Sequence, residues 1–199
     1  AYSVEDKPLG TWGAVANALK DHEIRSPLVI MNGDIVTDVN LRKMVAYATS
    51  PVTMFLTPMR SPYGIVELSG RVITQFREKP ILPYYINAGV YVVREDFDLL
   101  GFAAGGFNPP SDIEREVFPK LAGLGMLGGY VEADADVFWK AVDTVKDLEE
   151  VRNEFRNRLD KPWGFERVIA YTDKYLHKKL FIKEGYQTSL HYHSKKQET

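Results

Sequence analysis

A chain of 199 residues, 45% of them hydrophobic, is long enough for one buried core and part of another, so it reads as globular. Its net charge of −2 comes from basic and acidic residues spread along the chain, which leaves no electrostatic footprint for nucleic acid or an anionic membrane and points to a small binding partner. The absence of cysteine excludes a disulfide framework, thiolate catalysis and a thiolate zinc site; with no apolar run near the ~20 residues of a membrane span and no signal peptide, the cytoplasm is the default location.

Between Thr11 and His22 the apolar residues Trp12, Val15, Ala16 and Leu19 recur at helical spacing, and Pro27 to Met31 reads as a buried strand. The segment NGDIVTD, Asn32 to Asp38, follows directly. It presents Asp34 where the strand runs out, behind Gly33, which lets the backbone turn and approach a ligand. A carboxylate there can hold a divalent cation against phosphate oxygens, or it can cap a helix. Asp38 or Asn40 can cap a helix carrying Leu41, Met44, Val45 and Tyr47, and Val52 to Leu56 reads as the next strand. This alternation predicts an α/β fold with a Rossmann-like, mostly parallel sheet covered by helices on both faces.

Ile65 to Leu68 and Arg71 to Phe76 flank Ser69-Gly70, a two-residue turn that predicts a β-hairpin leading into Glu78-Lys79-Pro80. Asn87 to Val93 is another apolar strand, whose Gly89 costs stability unless something approaches closely. Ser111 and Glu114 form a capping box for a helix through Leu121, and strands follow near Leu127 to Val131 and Val137 to Trp139. Thr144 caps a last helix with Asp147 in its first turn, running to about Arg158. Beyond it, short alternating runs at Phe165 to Tyr171, Leu176 to Lys183 and Gln187 to Tyr192 predict the start of an all-β domain, dividing the chain into 1–158 and 159–199.

Taken in order, PLGTWGAV (Pro8 to Val15), NGDIVTD, YGIVEL (Tyr63 to Leu68), FREKP ending at Pro80, INAGVYV (Ile86 to Val92) and FWKAVDTVKD (Phe138 to Asp147) resemble the sugar-phosphate nucleotidyltransferases. These enzymes join a sugar 1-phosphate to a nucleoside triphosphate with loss of pyrophosphate. The resemblance implies a glycosyltransferase-A-like fold and in-line attack of one anion on another, which requires Mg²⁺ and cations to bring them together. It gives Asp34 the role of a catalytic Mg²⁺ ligand, with Asn32 and Gly33 beside it in the substrate site. The second metal carboxylate falls to Asp143, because the family's usual position holds Ala141. Glu78 corresponds to the acid that accepts sugar hydroxyls and Lys79 to the catalytic lysine that meets the sugar phosphate. Gly64, Asn87, Ala88 and Gly89 fall where the family shapes its sugar pocket. Gly10 and Thr11 fall at the base-contacting turn, where Trp12 replaces a usual small residue. The family opens with a glycine-rich phosphate loop that does not precede Ala1, so the resemblance implies a fragment that is itself inactive.

The tail Gly185, His191, His193, Glu198 has the form G-x5-H-x-H-x4-E, which resembles the first metal motif of the cupin barrel. His-x-His on a strand points both imidazoles to one side, where Glu198 completes a partial set for Zn²⁺ or another divalent metal. Together with KPWG and GYQTSLHYH it is similar to the start of type II mannose-6-phosphate isomerases, which occur fused behind guanylyltransferases. That association favours GTP and mannose 1-phosphate as partners. Glucose 1-phosphate with CTP, UTP or dTTP stays open, as does a non-catalytic module binding a sugar phosphate or nucleotide, and a homo-oligomer is compatible with each.

Overall fold

The first helix, α1 (Gly10–Asp21), turns Trp12 inward, and the edge strand β1 (Leu28–Met31) follows it. The chain then forms β2 (Ile35–Thr37), α2 (Leu41–Tyr47), β3 (Val52–Arg60), the hairpin β4 (Ile65–Ser69) and β5 (Val72–Arg77), and the 13-residue β6 (Ile81–Val93). Helix α3 (Leu99–Ala103), a π-helical turn at Ile113–Val117, α4 (Phe118–Gly123), β7 (Leu127–Tyr130) and β8 (Trp139–Ala141) complete the first unit. This computed structural model describes residues 2–22, 27–103, 110–132 and 137–188. They fall into two units, Ala1–Ala141 and Val142–Thr199.

In the first unit the sheet order is β1-β6-β3-β7. Strand β6 lies antiparallel between β1 and β3, and only β3 and β7 pair in parallel. The expectation of a mostly parallel sheet is therefore corrected: β1, β3 and β7 run alike, but two of the three pairings are antiparallel. The reason is topological. After β3 the chain makes the β4–β5 excursion without a crossover helix, and such a return can only bring β6 back antiparallel. The turn of that hairpin also differs by one residue, because Ser69 pairs with Val72 and the loop is Gly70-Arg71, with Gly70 at φ +61°.

Both faces of the central sheet are covered, which explains the unbroken apolar run of β6. Tyr91 and Val93 pack with Trp12, Leu99, Val117 and Leu121 on one side, whereas Ala88, Val90 and Val92 pack with Met44, Phe55 and Tyr130 on the other. At 7 residues α2 is too short to persist alone. It is held by Asn40, whose side chain accepts from the Lys43 amide, and by Met44, which is completely buried. Truncating a core methionine of this kind costs roughly 2–5 kcal/mol. Asp38 does not share the capping role; its carboxylate accepts from the Phe138 amide at 2.7 Å and pins β2 to β8.

The second unit contains α5 (Val145–Arg156), β9 (Arg158–Lys161), β10 (Gly164–Tyr171) and β11 (Leu176–Ile182). Thr144 caps α5 in a reciprocal box with Asp147, as its spacing predicts. The strands form an antiparallel sheet in the order β11-β10-β9, with Phe165 stacked on Phe181 at 4.2 Å and Arg167 paired with Glu154 of α5. His191, His193 and Glu198 lie outside the described residues. Among the described residues no helix is long and apolar enough to cross a membrane.

Candidate functional site

The turn after β1 is tied down by its backbone. The Asn32 amide donates to the Gly89 carbonyl at 2.9 Å, the Ile35 amide donates to the Asn32 carbonyl at 3.4 Å, and Ile35 is buried. Asp34 is thereby left projecting from the end of the strand. Its carboxylate is exposed and accepts no hydrogen bond among the described residues. Gly33 has open space where a side chain would stand and an ordinary φ, so the turn itself does not require glycine.

Gly89 is required. It lies in β6 with φ +72°, where the register against β3 slips between Met54 and Leu56, and a Cβ there would stand 2.7 Å from Ile35 Cγ1 and 3.2 Å from Asn32 Nδ2. The close approach is made by the Asn32–Ile35 turn itself. This irregularity re-aims the strand beside the turn. Asn87 accepts from the Gly89 amide through Oδ1 and donates through Nδ2 to the Tyr91 hydroxyl, both at 2.9 Å. An amide used in this way keeps one N–H and one lone pair for a ligand. Ala88 is fully buried, and its carbonyl accepts from Trp139 Nε1 at 2.8 Å.

Tyr91 joins these pieces. Its ring packs on Phe118 at 4.7 Å and is 1% exposed. Burial pushes its hydroxyl pKa up, hydrogen bonds from Asn87 and Asn32 pull it back, and the Glu114 and Asp34 charges add to the rise. The phenol therefore connects its own strand at Asn87 with the Asn32 turn and with Phe118 of α4. A Tyr91→Phe variant is expected to lose ~1 kcal/mol of stability and release Asn87, read as a lower melting midpoint with an unchanged fold by circular dichroism.

The turn at Gly10 and Thr11 is locked to the segment before α4. Ser111 donates its amide to the Leu9 carbonyl at 2.9 Å, and the Ser111 carbonyl accepts from Trp12 at 3.0 Å and Gly13 at 3.4 Å. Thr11 Oγ1 accepts from the Ile113 amide at 2.9 Å and donates to Glu114 Oε2 at 2.7 Å. The expected capping box is corrected accordingly: Glu114 serves Thr11, the buried Ser111 hydroxyl has no partner among the described residues, and Thr11 caps the π-helical turn. Trp12 points into the core at 4% exposure.

Gly64, Glu78 and Lys79 gather on the hairpin. A Cβ on Gly64 would lie 2.6 Å from Phe76 Cζ and 3.1 Å from Glu78 Oε2. Lys79 has φ +44°, the one positive value for a non-glycine among the described residues, although the proline that follows disfavours a helical-type turn there. The bend is held by the Ser61 amide donating to the Pro80 carbonyl at 2.9 Å. Strain retained in this way clusters at functional sites. Asp143 is exposed in the second unit, one residue before the Thr144 cap. Among the described residues no group of three or more His, Cys, Asp or Glu is poised to hold a metal. Sequence reasoning missed Tyr91, Glu114 and Phe76; the one available signal was Tyr91's place two residues after the strand glycine.

The match of the family model described as nucleotidyl transferase extends over residues 1–158, from the Gly10 turn through the NGD turn, the hairpin and β6. The chain belongs to the nucleotidyl transferase family. It is similar to the mannose-1-phosphate guanyltransferase of Schizosaccharomyces pombe, with 30% identity over 73% of this chain and 41% of that protein. It is likewise similar to the mannose-1-phosphate guanylyltransferase catalytic subunit beta of Dictyostelium discoideum, with 32% identity over 74% of this chain and 42% of that protein. The chain thus spans about two fifths of the length of these relatives. Among solved structures, a putative glucose-1-phosphate thymidylyltransferase from Bacillus anthracis shares the fold with TM-score 0.58 and 18% identity, covering 81% of this chain and 67% of that one. HddC from Yersinia pseudotuberculosis shares it at TM-score 0.52 and 20% identity, covering 76% and 64%.

Proposed function

We propose that this nucleotidyl transferase domain belongs to an enzyme that joins mannose 1-phosphate to GTP, forming GDP-mannose and pyrophosphate. The observation that carries the reading is the junction at Tyr91 and Gly89, where the Asp34 turn and the Asn87 strand are tied together. The relatives' names favour mannose and guanine. In the reaction a sugar-phosphate oxygen bonds to the α-phosphorus while the bridge to the β-phosphate breaks, and pyrophosphate leaves with the electron pair. Lys79 holds the sugar phosphate, Glu78 accepts sugar hydroxyls, and Asn87 offers its remaining N–H and lone pair to the sugar. Base recognition falls to the Gly10-Thr11 backbone, since the Thr11 hydroxyl is already committed. Gly33, with open space where a side chain would stand, leaves room for the ligand to approach the backbone.

An exposed carboxylate that accepts no hydrogen bond among the described residues fits a hard cation, and Asp34 would hold Mg²⁺. Bound there, the ion supplies positive charge between two anionic reactants. We also propose that residues 159–199 begin a cupin domain in which His191, His193 and Glu198 hold a divalent metal, supported by the antiparallel strands β10 and β11 that precede them.

Lys79 separates function from folding. Lys79→Ala is expected to raise KM for the sugar phosphate about tenfold or more without lowering the melting midpoint. Lys79→Gly, free of the left-handed strain, should bind as poorly yet gain ~1 kcal/mol of stability. Denaturant unfolding and steady-state kinetics of both variants check this. The function itself is tested by pyrophosphate release from the full-length enzyme with Mg²⁺, each nucleoside triphosphate, and mannose or glucose 1-phosphate. Turnover with GTP and mannose 1-phosphate is the expected result; preference for glucose 1-phosphate with CTP, UTP or dTTP would move the assignment, and binding without turnover would overturn it.

A further inference from the structure

Phe76 is 63% exposed although it is one of the largest apolar side chains of the hairpin. Its ring edge and the Glu78 carboxylate converge on the same point, the bare Cα of Gly64, where any side chain would strike Phe76 Cζ at 2.6 Å and crowd Glu78 Oε2 at 3.1 Å. Glu78 accepts no hydrogen bond among the described residues, so its oxygens are available beside the ring. A pyranose has matching parts: a face of C–H groups that packs on an aromatic ring, and a rim of hydroxyls that donate to a carboxylate. We propose that Phe76 is a specificity-determining residue whose ring stacks against the C–H face of the sugar, with Glu78 taking adjacent hydroxyls and Gly64, by lacking a side chain, letting the ring and the carboxylate converge.

This inference rests on the sugar-phosphate reading above and adds to it a contact that requires an aromatic ring. The competing explanation is that Phe76 belongs to a general apolar face. Val66 and Leu68 alternate onto one face of β4, opposite their partners Phe76 and Ile73, and all four are more than 40% exposed. A ring-specific contact and a generic apolar face respond differently to Phe76→Leu, which keeps the hydrophobic surface, and to Leu68→Ser, which removes part of it away from Gly64.

The test is titration of the full chain with mannose 1-phosphate by calorimetry, together with saturation-transfer NMR from aromatic protons to the sugar. Wild type is expected to bind and to transfer saturation to pyranose C–H protons. Phe76→Leu should weaken binding about tenfold and lose that transfer, Phe76→Tyr should retain both, and Leu68→Ser should bind like wild type, all with unchanged melting midpoints. Wild-type binding with an unaltered Phe76→Leu variant would overturn the stacking role and leave the function standing, as would equal losses in Phe76→Leu and Leu68→Ser. Failure of wild type to bind mannose 1-phosphate would overturn the sugar-phosphate reading itself, and the stacking role with it.

Discussion

Asp34→Asn is expected to lower kcat/KM for nucleotidyl transfer about 10³-fold in the full-length enzyme, equivalent to ~4 kcal/mol of transition-state stabilisation. The substitution keeps the shape of the side chain and removes the charge that would hold Mg²⁺ against phosphate oxygens. Because Asp34 is exposed and accepts no hydrogen bond among the described residues, the melting midpoint should not move. Asp38 in the same NGDIVTD segment provides the contrast. Its carboxylate accepts from the Phe138 amide at 2.7 Å, so Asp38→Ala should destabilise the fold by about 1–3 kcal/mol. Kinetics with varied Mg²⁺ and thermal unfolding of both variants check the pair. A fully active Asp34→Asn enzyme would remove the metal role.

Gly10→Ala should be among the most damaging substitutions for folding. Gly10 has φ +77°, and an added Cβ would lie 2.3 Å from the Ser111 carbonyl oxygen and 2.8 Å from the Ser111 amide nitrogen. Both are backbone atoms, and they take part in the lock that ties α1 to the segment before α4: the carbonyl accepts from Trp12 and Gly13, and the amide donates to Leu9. A side chain can swing away from a clash, but a hydrogen-bonded backbone moves only with its element. Left-handed strain of 1–2 kcal/mol and the loss of part of this lock together should cost roughly 3–5 kcal/mol, a large share of the stability of an ordinary domain. Denaturant unfolding measures it directly. Gly33→Ala, whose Cβ would meet open space, should unfold like wild type.

Local patterns were legible where a short segment decides the outcome. Thr144 with Asp147 and Asn40 ahead of α2 cap as their spacing predicts, since the donors they satisfy lie within the next turn. Ser111 with Glu114 carries the same pattern and fails, because the Thr11 hydroxyl, about a hundred residues away in the chain, claims both Glu114 and the Ile113 amide. The parallel sheet failed for a related reason: the strand that inserts between β1 and β3 is chosen by long-range pairing, which the helix–strand alternation does not encode. Gly89 could be read as a point of close approach, yet what approaches it is the Asn32–Ile35 turn. Tyr91 passed as a core residue inside an apolar run because only its hydroxyl leaves the core. Phe76 passed as a hairpin residue because its relation to Gly64 depends on the pairing of β4 with β5.

The central claim is that the Asn32–Asp34 turn, joined to the Asn87–Gly89 strand, is the cation-dependent centre of the site. The most direct measurement is paramagnetic broadening of backbone amide signals in the isotopically labelled chain on addition of Mn²⁺ as a stand-in for Mg²⁺. The expected result is selective loss of the Asn32, Gly33 and Asp34 signals first, then those of Asn87 to Gly89, whose backbone is hydrogen-bonded to the turn, with the effect abolished in Asp34→Asn. Broadening centred elsewhere in the first unit, or unchanged in Asp34→Asn, would contradict it.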